Sequence, residues 1–250
     1  VPYPRFGAPL GSFKSAIANY NAMQLRVEKS FSHGLYVLSG YTFSRCQDMD
    51  SSASFAADTQ NIYDQRHGDY ALCGFQIKNR ANFSFGWELP FGRGLTGAKG
   101  KLLKGWQLNS IAQFQDGTPF TIRASGIGAN VGAWVPTRGN RTCDGNLSDS
   151  QQTVTKFFDT SCFQTPQVGT FGNAGRNTVF SPGYKSVDFS LFKNTHITER
   201  TYVQFRAEFF NAFNHSNYNQ PGSRIGAFSF GRITSETDAR EIQFGLKILF

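Results

Sequence analysis

Residues 79–89 read NRANFSFGWEL, and in an extended chain Ala81, Phe83, Phe85, Trp87 and Leu89 share one face while Asn82, Ser84, Gly86 and Glu88 share the other. A period of two with a greasy and a wet side predicts a β-strand that separates an apolar from an aqueous environment. Residues 202–213 repeat the pattern, setting Val203, Phe205, Ala207 and Phe209 against Gln204, Arg206, Glu208 and a less fitting Phe210. Residues 240–250 do so again, with Ile242, Phe244, Leu246, Ile248 and Phe250 opposite Glu241, Gln243, Gly245 and Lys247. Weaker versions run over 19–31 (Met23, Leu25, Val27 against Gln24, Arg26, Glu28), 35–44, 105–115 and 184–194. In 35–44 apolar residues fall on both faces, which leaves its orientation open.

Each candidate strand is about ten residues long, the span a tilted strand needs to cross hydrocarbon. Strands of water-soluble domains are commonly nearer about five or six. The connections also alternate. Short links at 32–34, 90–94 with its basic tail, and 195–200 are interleaved with long polar stretches at 45–78, 116–183 and 214–238. An up-and-down membrane barrel keeps its short turns on one side and its long loops on the other, which places the carboxyl terminus on the short-turn, periplasmic side. The fold class expected is therefore all-β: an antiparallel transmembrane barrel segment of seven or eight strands over 19–250. Residues 1–18 read as the end of a preceding loop or strand, where an eighth strand could lie. Seven is odd and single-chain bacterial barrels have even counts, so the chain is expected to be an incomplete part of a larger barrel.

Lipid offers backbone amides no partners, so a spanning sheet must pair every strand, turn apolar groups outward and enclose polar ones. On that reading Arg26, Glu28, Glu88, Gln204, Arg206 and Glu208 face a watery lumen. The competing reading is a soluble or secreted sandwich, an adhesin or glycan-binding module, whose phenylalanine rows would meet in a core. Strand length, aromatic density and lopsided loops favour the barrel.

Composition narrows the remaining classes. With 15% aromatic residues and 26 Phe among 250 residues, the chain is not of the disordered kind. No apolar run approaches the length of a membrane helix. The net charge of +8 is scattered, with a small cluster only at Arg93, Lys99, Lys101 and Lys104, so nucleic acid is not an expected partner. Four cysteines fall as two sequence-local pairs, Cys46 with Cys73 and Cys143 with Cys162; of three connectivities this closes the smallest loops. None has zinc-ligand spacing, which favours disulfides and an oxidising compartment. The start at Val1 suggests a removed signal or an internal fragment.

Residues 243–250, QFGLKILF, resemble the outer-membrane insertion signal, a polar residue (Gln243), Gly245, alternate apolar positions (Ile248) and a terminal aromatic (Phe250). Gly245 is expected to let a neighbouring aromatic or backbone approach closely. Further segments resemble the carboxyl-terminal part of a TonB-dependent outer-membrane receptor of the Oar-like, acidobacterial kind: SAIANYNAMQLRVEKSF (15–31), GLYVLSGYTFS (34–44), WELPFGRG (87–94), GWQLNSIAQFQDGTPFT (105–121), GTFGNAGRN (169–177) and DFSLFKNTHITERTYVQFRAEFFNAFNH (188–215). GTFGNAGRN and FRAEFFNAFNH are the most specific. The resemblance implies a barrel of about 22 strands with an amino-terminal plug. It also implies import of a nutrient such as a siderophore, oligosaccharide or peptide, driven by the TonB complex. Implied partners are outer-membrane lipid and lipopolysaccharide, the barrel assembly machinery, and the plug and amino-terminal strands that this chain lacks.

No catalytic constellation emerges, and neither an enzyme nor a cofactor is expected. The GxGxxG match at 92–97 has no βαβ context and reads as a turn. His33, His67, His196 and His215 are isolated in turns. Asp64, Arg66, His67 and Asp69 read as a charged outer loop. Arg206 and Glu208 read more economically as part of a cross-strand ionic ladder than as a substrate-lining pair. Trp87, Trp106, Tyr41 and Tyr184 are expected in interfacial girdles.

Overall fold

A computed structural model describes residues 16–51, 59–61, 64–124, 137–237 and 239–250. Seven long strands carry the architecture: β1 (Ala18–Ser32), β2 (Leu35–Asp48), β3 (Asn79–Glu88), β4 (Trp106–Gln115), β5 (Tyr184–His196), β6 (Tyr202–Phe210) and β7 (Glu241–Leu249). Each pairs antiparallel with its sequence neighbours in the order β1-β2-β3-β4-β5-β6-β7. A two-residue strand, Ala71–Leu72, adds to the outer end of β2. Residues 1–15, where an eighth strand was expected as possible, lie outside the described residues.

The register aligns every predicted apolar row. Leu25 faces Tyr41, Val37 faces Phe85, Phe83 faces Ala112, Leu108 faces Leu191, Phe189 faces Phe209, and Phe205 faces Leu246. Because side chains alternate strictly, these pairings put all seven rows on one face. They also settle β2: Leu35, Val37, Tyr41 and Phe43 lie on the apolar face, and Tyr36 and Leu38 on the polar one. Among the described residues no second sheet covers the apolar face, where Val27 is 66% and Leu246 71% exposed. A sandwich would have buried these rows, so that reading is overturned. Exposed apolar surface on this scale is a lipid-facing wall.

Three connections on one side, 33–34, 89–105 and 197–201, alternate with 49–78, 116–183 and 211–240 on the other. The tightest is the β1–β2 turn, where His33 and Gly34 both take positive φ (54° and 81°), the backbone of a hairpin turn whose twist matches the strands. Several boundaries differ from expectation. Residues 45–48 extend β2 instead of opening the loop. β6 ends at Phe210 because Asn211 turns left-handed (φ 46°). The basic tail after β3 contains a short helix, Gly97–Leu103, which its glycines obscure in sequence. Tyr184, expected in a girdle, lies on the polar face beside Ser186.

The buried core lies outside the sheet, in the long-loop region. Phe120, Ile122, Phe158, Cys162, Phe163 and Val179 form one cluster, with Ile225 and Phe230 of the last loop packed on it. Phe158 meets Phe120, Phe163 and Phe230 edge-on at centroid distances of 6.0, 5.8 and 5.3 Å. The long outer loops thus contain a packed cap.

Candidate functional site

The polar face is lined mainly by amides, hydroxyls and a few charges. Arg26 donates to Glu28 at 2.7 Å on the exposed face of β1. Glu88 is exposed at the short-turn end of β3. Gln204 Nε2 donates to Asn194 Oδ1 at 2.9 Å across the β5–β6 pair, and within β4 Gln107 donates to Asn109 and Gln113 to Gln115, each at 2.9 Å. The expected ionic ladder through Arg206 and Glu208 is absent among the described residues. Instead the Arg206 guanidinium lies over the Phe192 ring, 4.5 Å from its centroid, because Phe192 stands directly opposite on β5. Its Nε is buried without a hydrogen-bond partner. Glu208 sits between Ser190 of β5 and Gln243 of β7. The six lumen candidates therefore share one face but divide into an Arg26–Glu28 pair on the edge strand, a lone Glu88, and a β6 row.

Gly86 is the tightest point of this face. A Cβ there would lie 2.1 Å from Tyr36 Cε1 and 2.8 Å from Asn109 Oδ1, so the Tyr36 ring crosses the β2–β3 pair through space that only glycine leaves. Gly245 behaves differently from expectation. Its would-be Cβ meets only the Arg206 stem, at 3.8 and 4.0 Å, and no aromatic or backbone closes on it. Gln243 and Gly245 point to the polar face, Ile248 to the apolar face, and Phe250 is 99% exposed beyond the end of β7.

The cap is built on two disulfides and two buried ion pairs. Cys46 joins Cys73 and Cys143 joins Cys162. Gln76 mimics a strand at the outer end of β2, its Nε2 donating to Ser44 O at 2.6 Å. Arg176, fully buried, pairs with the Asp48 carboxylate and donates to Asp69 O at 3.0 Å and Ser51 Oγ at 2.9 Å. Arg138 pairs with the Asp69 carboxylate and donates to Gly68 O at 2.7 Å. Burial pushes the Asp69 carboxyl above its ordinary value, against the pull of Arg138, and one of its oxygens has no hydrogen-bond partner. Asp69 is thus an interior group of the cap. Asp64 and His67 pair at 2.8 Å in the exposed part of the same loop, so the four residues grouped in the sequence do not converge.

The two most specific sequence blocks are explained by this geometry. In 169–177, Gly172 lies where a Cβ would collide with Arg138 O, its carbonyl accepts from Gln60 Nε2 at 2.9 Å, and Asn177 takes positive φ while bonding Leu72 O and Thr121. In 205–215, the left-handed Asn211 donates its amide to Asp188 Oδ1 at 2.8 Å and binds both backbone groups of His215, and Phe213 packs edge-on against Phe189. Sequence reasoning assigned no role to Arg138, Arg176 or Gln60. Their only signal was the position of Arg176 inside the most specific block. Among the described residues, no three His, Cys, Asp or Glu side chains converge as metal ligands.

An antiparallel meander with a continuous lipid-facing wall, a hydrated opposite face and loops lopsided to one side is the wall of a membrane barrel. The chain belongs to the outer membrane beta barrel domain family, whose model matches residues 1–243, and it resides in the bacterial outer membrane. No curated protein gives a significant match.

Proposed function

We propose that the chain forms the carboxyl-terminal wall of a TonB-dependent receptor that imports a nutrient too large for diffusion pores, acting by binding and passage without catalysis. The observation that carries this reading is the open sheet. Among the described residues β1 and β7 are not paired to each other, and two unsatisfied edges are costly in hydrocarbon, which supports a reading in which further strands complete the barrel. A barrel much wider than seven strands leaves room for a plug, and the polar face supplies the hydrogen-bonding surface that a plug or a passing solute would contact. The blocks resembling such receptors support the same reading, since most of them are strands of the wall and 169–177 is built into the cap at the outer ends of those strands. The partners in this reading are the plug and preceding strands, the TonB complex, the assembly machinery that captures β7, and lipopolysaccharide around the outer rim. The test is the coding sequence upstream of Val1, followed by deletion of the whole gene. A plug-encoding region is expected there, together with a growth defect under nutrient limitation; in a strain already lacking TonB, the same deletion should add no further defect. A coding sequence with no plug region would refute the proposal.

A further inference from the structure

The segment 89–105 between β3 and β4 combines charge, grease and position in a way that the barrel wall does not require. It carries Arg93, Lys99, Lys101 and Lys104, all exposed, and no carboxylate. Phe91, Leu95, Leu102 and Leu103 are exposed among them, with Leu102 at 68%. Two hydrogen bonds fix which side of the sheet it occupies. Trp106 Nε1 donates to Leu102 O at 3.0 Å, and Lys193 Nζ donates to Lys101 O at 2.8 Å. Trp106 and Lys193 face each other across β4 and β5, and both belong to the apolar face. The helix Gly97–Leu103 is therefore held on the lipid side of the wall, at the short-turn end, and not beneath the lumen. Gly100 permits this fold-back, since a Cβ there would lie 2.6 Å from Leu95 O.

At that level the wall meets the headgroups of the periplasmic leaflet. Leucines beside Trp106 can enter the acyl boundary while the ammonium groups remain at headgroup depth, the arrangement of an interfacial amphipathic element. Arg93 reaches back toward Gly34 and Glu88, while the three lysines, with no carboxylate in the segment, complement a phosphate-bearing, negatively charged surface. We propose that segment 89–105 is a binding site for anionic phospholipid of the periplasmic leaflet, with Lys99, Lys101 and Lys104 contacting the headgroup phosphate and Leu102 and Leu103 the first methylenes. This inference rests on the membrane setting and is independent of the transport reading.

The experiment uses the full-length outer-membrane protein in nanodiscs of equal parts phosphatidylglycerol and phosphatidylcholine, with one or the other lipid made photoactivatable. Cross-linked peptides are then mapped. The photoactivatable phosphatidylglycerol is expected to label 89–105 at least about threefold more than the phosphatidylcholine probe, a preference that raised salt weakens. In a K99Q/K101Q/K104Q variant that still shows the heat-dependent gel mobility of a folded barrel, the preference should vanish. Equal labelling by both probes in the wild type, or labelling that bypasses 89–105, overturns the proposal; neither result depends on the variant folding.

Discussion

Arg176 has no exposed side-chain surface, and its planar fork reaches groups from three different places: the carboxylate of Asp48 on β2, the hydroxyl of Ser51, and the carbonyl of Asp69. A buried pair of this kind is a weak source of net stability, yet breaking it is costly, because the surviving Asp48 charge loses its counter-ion and keeps only the Ser51 hydroxyl, at 2.7 and 2.9 Å. Arg176→Ala strands the Asp48 carboxylate and is expected to weaken the cap by about 3–5 kcal/mol. Arg176→Lys is not expected to restore it, because a point charge cannot reproduce the divergent donors. Hydrogen exchange at cap amides such as Gly139, which donates to Ile122 O, measures the loss; exchange at β5 and β6 should hardly change. Unaltered protection at Gly139 in Arg176→Ala would show that the pair does not hold the cap together.

At the level of strands, the two glycines of the polar face lead to opposite expectations. Gly86→Ala drives a methyl group into the Tyr36 ring and should displace it, lowering the yield of folded barrel. Gly245→Ala meets only an arginine stem at ordinary contact distance and should stay within about 0.5 kcal/mol of the wild type. Refolding yields judged by heat-dependent gel mobility distinguish them, and equal behaviour would contradict the packing described here. The strands themselves were legible in sequence because a period of two fixes the face of every side chain before any pairing is known. Where both faces carry apolar groups, as in β2, the pattern decides nothing, and the register with β1 and β3 was needed. The cap was not legible. Its core draws single residues such as Phe120, Phe158, Val179 and Phe230 from glycine-rich stretches far apart in the chain, and its buried cations sit in segments that read as solvated loops. Of the candidate site, the shared face of Arg26, Glu28, Glu88, Gln204, Arg206 and Glu208 followed from alternation. The stacking of Arg206 on Phe192 did not, since it depends on which residue of β5 lies opposite.

For the whole molecule, orientation in the bilayer gives the sharpest contrast between neighbouring positions. Leu246 faces lipid near the middle of β7, whereas Gln243 faces the polar side of the same strand. Leu246→Arg, a charge turned to lipid near mid-strand, is expected to cost about 2–4 kcal/mol, against about 0.5 kcal/mol or less for Gln243→Arg. Denaturant titration of the full-length protein in lipid vesicles reads both, and equal costs would undo the assignment of the two faces. The disulfides bear on how such a molecule is put together. Cys46–Cys73 lies within the β2–β3 hairpin and Cys143–Cys162 within the link from β4 to β5. Neither bridge ties one hairpin to another, so thiol oxidation in the periplasm leaves each hairpin free to be threaded into the growing wall in its own turn. Cross-links between separate hairpins would have knotted the chain before it reached the membrane.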